Sequence, residues 1–387
     1  MMEIGMDVST LEETERLGGK FYENGKEADL YDILKRHGVT SIRLRLWNDP
    51  FNEKGENYGA GGCDIETVLR AARRAVKNGM NWMLNFHYSD FWADPARQLI
   101  PKAWQGFTLE QLEKAVYEYT KETLARCKNE ALYPEYVQIG NEITNGTLWP
   151  AGKVDYDQVT GEPVSYGNMT LLLKAGAAAA RESGNVNIIF HLERSCDNAR
   201  YRQWFDAVTA AGADYDIIGV SYYPHWHGAM REVRHNLEDI SERYNKDVMI
   251  VETAYPFTDK HYADLPGVSL VINDRMPDGN SPPYPYSVEG QSSFLSDLVK
   301  MIKSVKRCKG LYYWEPGWLP VDGSTWSTAS ARRYIGEEHK AGGNEWANQC
   351  LFDYKGNLLP TINELDKLRL NTPVDNRSHI NEQEQFV

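Results

Sequence analysis

Short apolar segments with strand character recur eight times along the chain, at residues 5–9, 41–47, 81–88, 136–142, 187–193, 217–223, 248–253 and 310–315. Amphipathic stretches separate them. This alternation commits a chain to parallel pairing, because neighbouring parallel strands need a crossover long enough to hold a helix. The connecting stretches 28–37, 65–77 and 109–128 place apolar residues three and four apart, so each reads as a helix with one buried face. Gly38, Gly79 and Gly184 stand just past helix ends, where a left-handed cap residue is common. Eight such units in 387 residues predict an α/β fold, a (β/α)8 TIM barrel. The expected barrel is a single domain over residues 1–370, with long βα loops forming a cleft and a polar tail at 371–387. A doubly wound open sheet is the rival, but no G-x-G-x-x-G follows the first strand, which weakens its dinucleotide-binding version.

Side chains in a strand alternate between faces. In SIRLRLW, Ile42, Leu44 and Leu46 share one face, and Arg43, Arg45 and Trp47 the other. In YVQIGNE, Val137 and Ile139 oppose Gln138 and Glu142. Asn85 with His87, His191 with Glu193, and Asp7 also fall on single faces. The apolar faces suit outer helices. The polar ones gather toward the C-terminal strand ends, where a barrel carries its active site. Asn85 or Gln138 alone reads as a satisfied interior hydrogen bond. A ring of Asp, Arg, Asn, His and Glu repeated on most strands reads as a site.

Two carboxylates complete that ring. Glu142 closes the fourth segment (EYVQIGNEIT) and Glu252 the seventh (DVMIVETAYP). Strands four and seven lie well apart around a closed eight-stranded wall, so long inward side chains from both can meet over its mouth. Two carboxyls flanking a glycosidic bond can cleave it, one as proton donor and one as nucleophile. Glu252 is expected to be ionised, held so by Arg43 or Arg45, and Glu142 protonated through burial and the nearby charge. Asn141 is placed to reach a sugar hydroxyl beside the reacting carbon. Nine of the 11 Trp residues (Trp47, Trp92, Trp104, Trp149, Trp226, Trp314, Trp318, Trp326 and Trp346) fall at strand C-terminal ends or in the loops after them. Sugar C–H faces pack on indoles, so nine on one rim favour a carbohydrate cleft.

Composition narrows the partners. A net charge of -13 argues against nucleic acid, since phosphate binding needs a basic surface. No apolar run is long enough to span a bilayer. The start, MMEIGMDVST, has no charged-then-apolar signal pattern. Five scattered cysteines form no C-x-x-C pair; one disulfide could form, and the sequence does not choose it. The His225-Trp226-His227 run lacks a third nearby ligand, so it reads as cleft rim or plain surface rather than a metal site.

The segments GMDVS, RLRLWNDP, FHYSDFWADP, QIGNEITNGTLWPAGK, GVSYYPHW, VETAYP and LYYWEPGW occur in this order. Together they resemble glycoside hydrolase family 53, the arabinogalactan endo-β-1,4-galactanases, from about residue 5 to residue 370. The resemblance implies a retaining glycosidase with Glu142 as acid/base and Glu252 as nucleophile, acting on galactan of pectic side chains. It implies Asn141 as a sugar contact and Arg43 and Arg45 as the strand-two arginines. It also implies that His87, Tyr222 and Trp314 line the reacting centre, with Trp92 and Trp149 as platforms further along the groove and Asp7, in the interior, as a further substrate contact.

Two departures stand out. The family often reads HLDNG after strand five, whereas this chain reads HLERS, with Glu193 and Arg194. Bacterial relatives often carry calcium between the loops after strands seven and eight. The GGNEWANQ segment has Ala347 where that pattern has Asp, and DKHYAD and NDRMPDGN lack a regular oxygen-ligand spacing. No cofactor is therefore expected to be required, and a structural calcium is the lesser expectation. A polymeric substrate implies a secreted or surface-bound protein, expected as a monomer. The rival readings are a mannanase or β-galactosidase of the same clan, and a barrel that binds sugar without cleaving it.

Overall fold

The eight apolar segments form eight parallel strands that close on themselves. In a computed structural model describing residues 2–263, 269–273 and 283–369, these are β1 (Glu3–Asp7), β2 (Ser41–Leu46), β3 (Asn81–Phe86), β4 (Tyr136–Ile139), β5 (Asn187–Leu192), β6 (Ile217–Ser221), β7 (Asp247–Thr253) and β8 (Cys308–Trp314). Each pairs with its sequence neighbours, and β1 pairs with β8 to seal the barrel. The chain is thus a single-domain (β/α)8 TIM barrel. The tail expected at 371–387 lies outside the described residues.

Periodicity explains the outer layer. The helix Ile65–Lys77 buries Val68, Leu69, Ala71, Ala72 and Ala75, and Asp64 caps its start by accepting from the Thr67 N–H at 3.0 Å. The outward residues Ile42, Leu44, Leu46, Val137 and Ile139 join the core shared with such helices. Met83, Tyr136, Ile189, Ile217, Met249, Val251 and Tyr312 form a separate buried cluster that plugs the barrel floor. Gly5 makes room for it: a Cβ there would stand 2.1 Å from the Tyr312 ring.

Seven of the eight strands end one to three residues earlier than expected, with β7 alone reaching its expected end at Thr253, and three of these early stops have a clear local cause. β1 stops at Asp7, whose carboxylate turns the chain by accepting from the Ser9 N–H and hydroxyl at 3.1 and 2.6 Å. β4 stops at Ile139, because Gly140 takes φ 80° and a three-residue 3-10 turn, Ile143–Asn145, follows. β8 stops at Trp314, with Glu315 at φ 48°. The five cysteines are free thiols, so no disulfide forms.

Candidate active site

The polar residues of the inward faces form one network above the floor. The Arg43 guanidinium is its hub. It donates to Asp7 Oδ2 at 2.7 Å, to Gln138 Oε1 at 3.1 and 3.2 Å, and to Asn141 Oδ1 at 2.8 Å. Its Nη2 also lies 2.8 Å from Glu252 Oε1. Burying this arginine is tolerable because its planar fork is filled by acceptors on every side. Arg45 serves another partner. It donates to Glu315 Oε1 at 2.5 Å and to the Ala60 carbonyl at 2.6 Å, and lies 4.2 Å from the Trp92 ring centroid. Arg43, not Arg45, is therefore the arginine that holds Glu252.

A β-bulge aims Glu252. Met249 and Val251 both belong to the barrel floor, so strict alternation would turn Glu252 outward. The pairing with β6 skips one residue: Val220 faces Ile250, and Ser221 faces Glu252. The extra residue swings the Glu252 carboxylate into the mouth. There its Oε2 accepts from the Tyr223 hydroxyl at 3.2 Å.

Glu142 reaches the same space by a different device. It sits three residues past β4 in the left-handed region, at φ 49°. A non-glycine residue there costs about 1–2 kcal/mol, a strain of the kind found at functional sites. Its Oε1 accepts from Ser221 Oγ at 2.7 Å, and Ser221 Oγ lies 2.8 Å from His191 Nε2. Gln138 Nε2 and Asn141 Oδ1, each at 3.1 Å, and the Glu142 N–H, at 3.4 Å, surround His191 Nδ1. Burial and Arg43 keep this imidazole neutral, with a pKa well below its ordinary value.

Glu142 and Glu252 line one cavity of about 340 Å3 with Arg43, His87, Asn141 and Tyr223. Their environments differ. Burial, then the charge of Glu252, then that of Glu193 push the Glu142 carboxyl well above its ordinary pKa, and no cation is paired with it among the described residues. Burial raises Glu252 too, but the Arg43 guanidinium opposes the rise. Glu142 therefore keeps its proton to higher pH, and Glu252 gives its own up first. His87 accepts on Nδ1 from Trp47 Nε1 at 3.2 Å and the Ala93 N–H at 3.1 Å, and burial then Arg45 hold it neutral.

Trp92, Trp226, Trp314, Trp326 and Trp346 line the cavity. The other four expected rim residues do not. Trp47 and Trp318 are buried behind the wall, and Trp104 packs into the core against Tyr119. Trp149 belongs to a separate depression beside the cleft. Asp7 is fully buried beneath Arg43, which it orients, and so is not a sugar contact. Tyr222 also needs correcting. It is 1% exposed, faces the helix layer against Phe294, and donates to the Gly228 carbonyl. Tyr223 is the site tyrosine. Alternation through Ile217, Gly219 and Ser221 points to it, and that signal was available in the sequence. Ser221 and Glu315 are further additions. Burial raises the Glu315 carboxyl to about 7 against the pull of Arg45.

Comparison with known proteins decides the family. A model of glycosyl hydrolase family 53 matches residues 3–365. The chain belongs to that family. This member is similar to an endo-beta-1,4-galactanase of Bacillus subtilis, with 35% identity over 92% of this chain and 84% of the relative. It is 39% identical to an uncharacterized protein in the bgaB 5' region of Niallia circulans, over 94% of this chain and 93% of that one. The solved Ignisphaera aggregans GH53 catalytic domain superposes with a TM-score of 0.83 at 36% identity, covering 94% of this chain and 95% of that one. As a family 53 chain, the protein is a glycosidase of galactanase type.

In the segment where calcium is the lesser expectation, Ala347 offers no side-chain oxygen, while the Asn348 amide donates to the Thr258 and Ile272 carbonyls at 2.9 Å and its buried Oδ1 has no hydrogen-bond partner among the described residues. Among the described residues no three His, Cys, Asp or Glu converge on a metal position. Residues 264 and 274–280, which include acids of the two segments named above, lie outside the description. No described helix is long and apolar enough to cross a membrane.

Proposed function

We propose that the protein is an endo-acting, retaining β-1,4-galactanase that cleaves galactan and type I arabinogalactan by double displacement. The observation that carries this reading is the asymmetry of two carboxyls in one cavity, with Arg43 on Glu252 alone. In the first step the Glu252 carboxylate attacks the anomeric carbon while Glu142 gives its proton to the departing glycosidic oxygen. This leaves a glycosyl ester on Glu252. As the ester forms, Glu142 is left ionised. It then takes a proton from water, which attacks the anomeric carbon and frees Glu252. Asn141 and His87 line the same cavity, where this reading gives them the sugar hydroxyls beside that carbon, and Trp314 and Trp92 offer apolar faces to the ring.

The choice of galactan rests on the family and on relatives such as the Bacillus subtilis galactanase. The endo mode rests on the cleft, which runs past Trp326 and Trp346 into a further depression of about 940 Å3. A polymer does not pass a membrane intact, so this reading places the enzyme outside the cytoplasm, in pectin breakdown. The chemistry needs no cofactor, and one chain holds the whole site, so a monomer suffices. The test is an assay on linear galactan, mannan, cellulose and xylan with mass-resolved products. A ladder of galacto-oligosaccharides from galactan alone supports the reading. Immediate release of galactose would make it an exo-enzyme, and cleavage of another polymer without galactan would overturn it.

A further inference from the structure

We infer that the depression beside the cleft, on the β4–β5 side, binds a sugar unit carrying a carboxylate, so that galactan bearing uronic acid is preferred over neutral galactan. The inference rests on the galactanase reading above. The chain carries a net charge of -13, yet Lys153, Arg194 and Arg200 gather around one concavity of about 440 Å3 that no Asp or Glu lines.

Each cation has little to neutralise it. Lys153 and Arg200 form no salt bridge among the described residues. The Arg200 guanidinium faces the neighbouring Tyr166 hydroxyl, a neutral partner that leaves its charge unmatched. Among the described residues Arg194 pairs with Glu193 alone, at 3.5 Å, and burial raises the pKa of that carboxyl. Three cations that repel one another in a concave site have a use when an anion enters. Trp149 and Tyr156 supply aromatic surface in the same depression, with Lys153 Nζ 4.9 Å from the indole and the Arg200 guanidinium 4.9 Å from the phenol ring. Aromatic surface for sugar C–H groups and guanidinium donors for a carboxylate together describe a uronate.

The depression is built on the catalytic segment. Asn145, three residues past Glu142, lines it and donates to the carbonyl of Pro95, which lines the main cavity. Arg194 is close enough to His227, on the cavity wall, to help lower its pKa. One bound chain can therefore occupy both.

The test compares kcat/KM on galactan carrying galacturonic acid units with the same material after reduction of its carboxyl groups. The acidic form should be favoured about fivefold at low ionic strength, falling toward parity in about 0.5 M salt. The ratio should collapse to about one in Lys153→Gln/Arg200→Gln, as expected of partly exposed ion contacts. A wild-type ratio of one, or an unchanged ratio in that variant, would overturn the inference while leaving galactanase activity standing. Should neither substrate be cleaved, the galactanase reading fails. Titration of the wild type with galacturonic acid, galactose and acetate then decides the site. Tighter binding of galacturonic acid than of both controls supports it, and equal or absent binding removes it.

Discussion

Arg43 and Glu252 form an ion pair at 2.8 Å inside the barrel, and the same guanidinium binds Asp7 at 2.7 Å. Buried pairs of this kind stabilise little overall, because desolvation offsets attraction; losing one partner is what costs. The arrangement makes better sense as a means of keeping one carboxylate ionised next to another that is not.

Replacing Arg43 tests that. Arg43→Met leaves Glu252 without a cation and Asp7 with only Arg45, 3.8 Å away, and should destabilise the fold by about 3–5 kcal/mol, read by denaturant unfolding. Arg43→Lys keeps a charge but not the fork. With support for ionised Glu252 weakened, its pKa rises, so the acid limb of kcat/KM should move to higher pH. An unmoved acid limb would show that Arg43 does not set the charge of Glu252.

Glu142 links catalysis to pH-dependent stability. Its folded pKa is raised, by burial first and then by Glu252. For such an acid the stabilising contribution is full below the unfolded carboxylate range and is lost as pH rises through the folded value. Glu142→Gln removes that loss. The variant should melt with the wild type near about pH 4 and above it near about pH 8. Its turnover of galactan should fall by about 10²–10⁴. Parallel melting at both pH values would mean that Glu142 carries no raised pKa.

Two adjacent tyrosines offer a matched pair. Tyr223→Phe removes a donor to Glu252 Oε2 and should lower kcat and raise the acid limb, since the charged form loses a hydrogen bond. Tyr222→Phe loses only a bond to the Gly228 carbonyl and should cost about 1 kcal/mol of stability with kcat nearly unchanged. The reverse pattern would reassign the site tyrosine.

These residues also show what can be read from a linear chain. The strands and the inward Arg43, Arg45, Gln138 and His191 were legible because alternation and helical periodicity survive into the fold. So were Glu142 and Glu252 as residues of one mouth, since each stands at the C-terminal end of an apolar segment. The bulge that turns Glu252 inward was not legible: it is a property of pairing between β6 and β7, which no single segment encodes. Nor was the left-handed turn at Glu142, although Gly140 before it, at φ 80°, hinted at a sharp departure. Choosing Tyr222 over Tyr223 ignored an alternation that Ile217 and Ser221 had already set. Position alone could not separate Trp314, which lines the cavity, from Trp104, which fills the core, because a strand end and the loop after a strand both count as rim and neither shows which way an indole turns.

The most direct measurement is to trap the glycosyl ester. A 2-fluoro-galactoside with an activated leaving group slows the second step more than the first, so the ester accumulates for peptide mapping by mass spectrometry. The account predicts one added sugar per chain, on the peptide containing Glu252, with Glu252 itself the modified residue. A sugar on any other side chain, or turnover with inversion and no adduct, would contradict it.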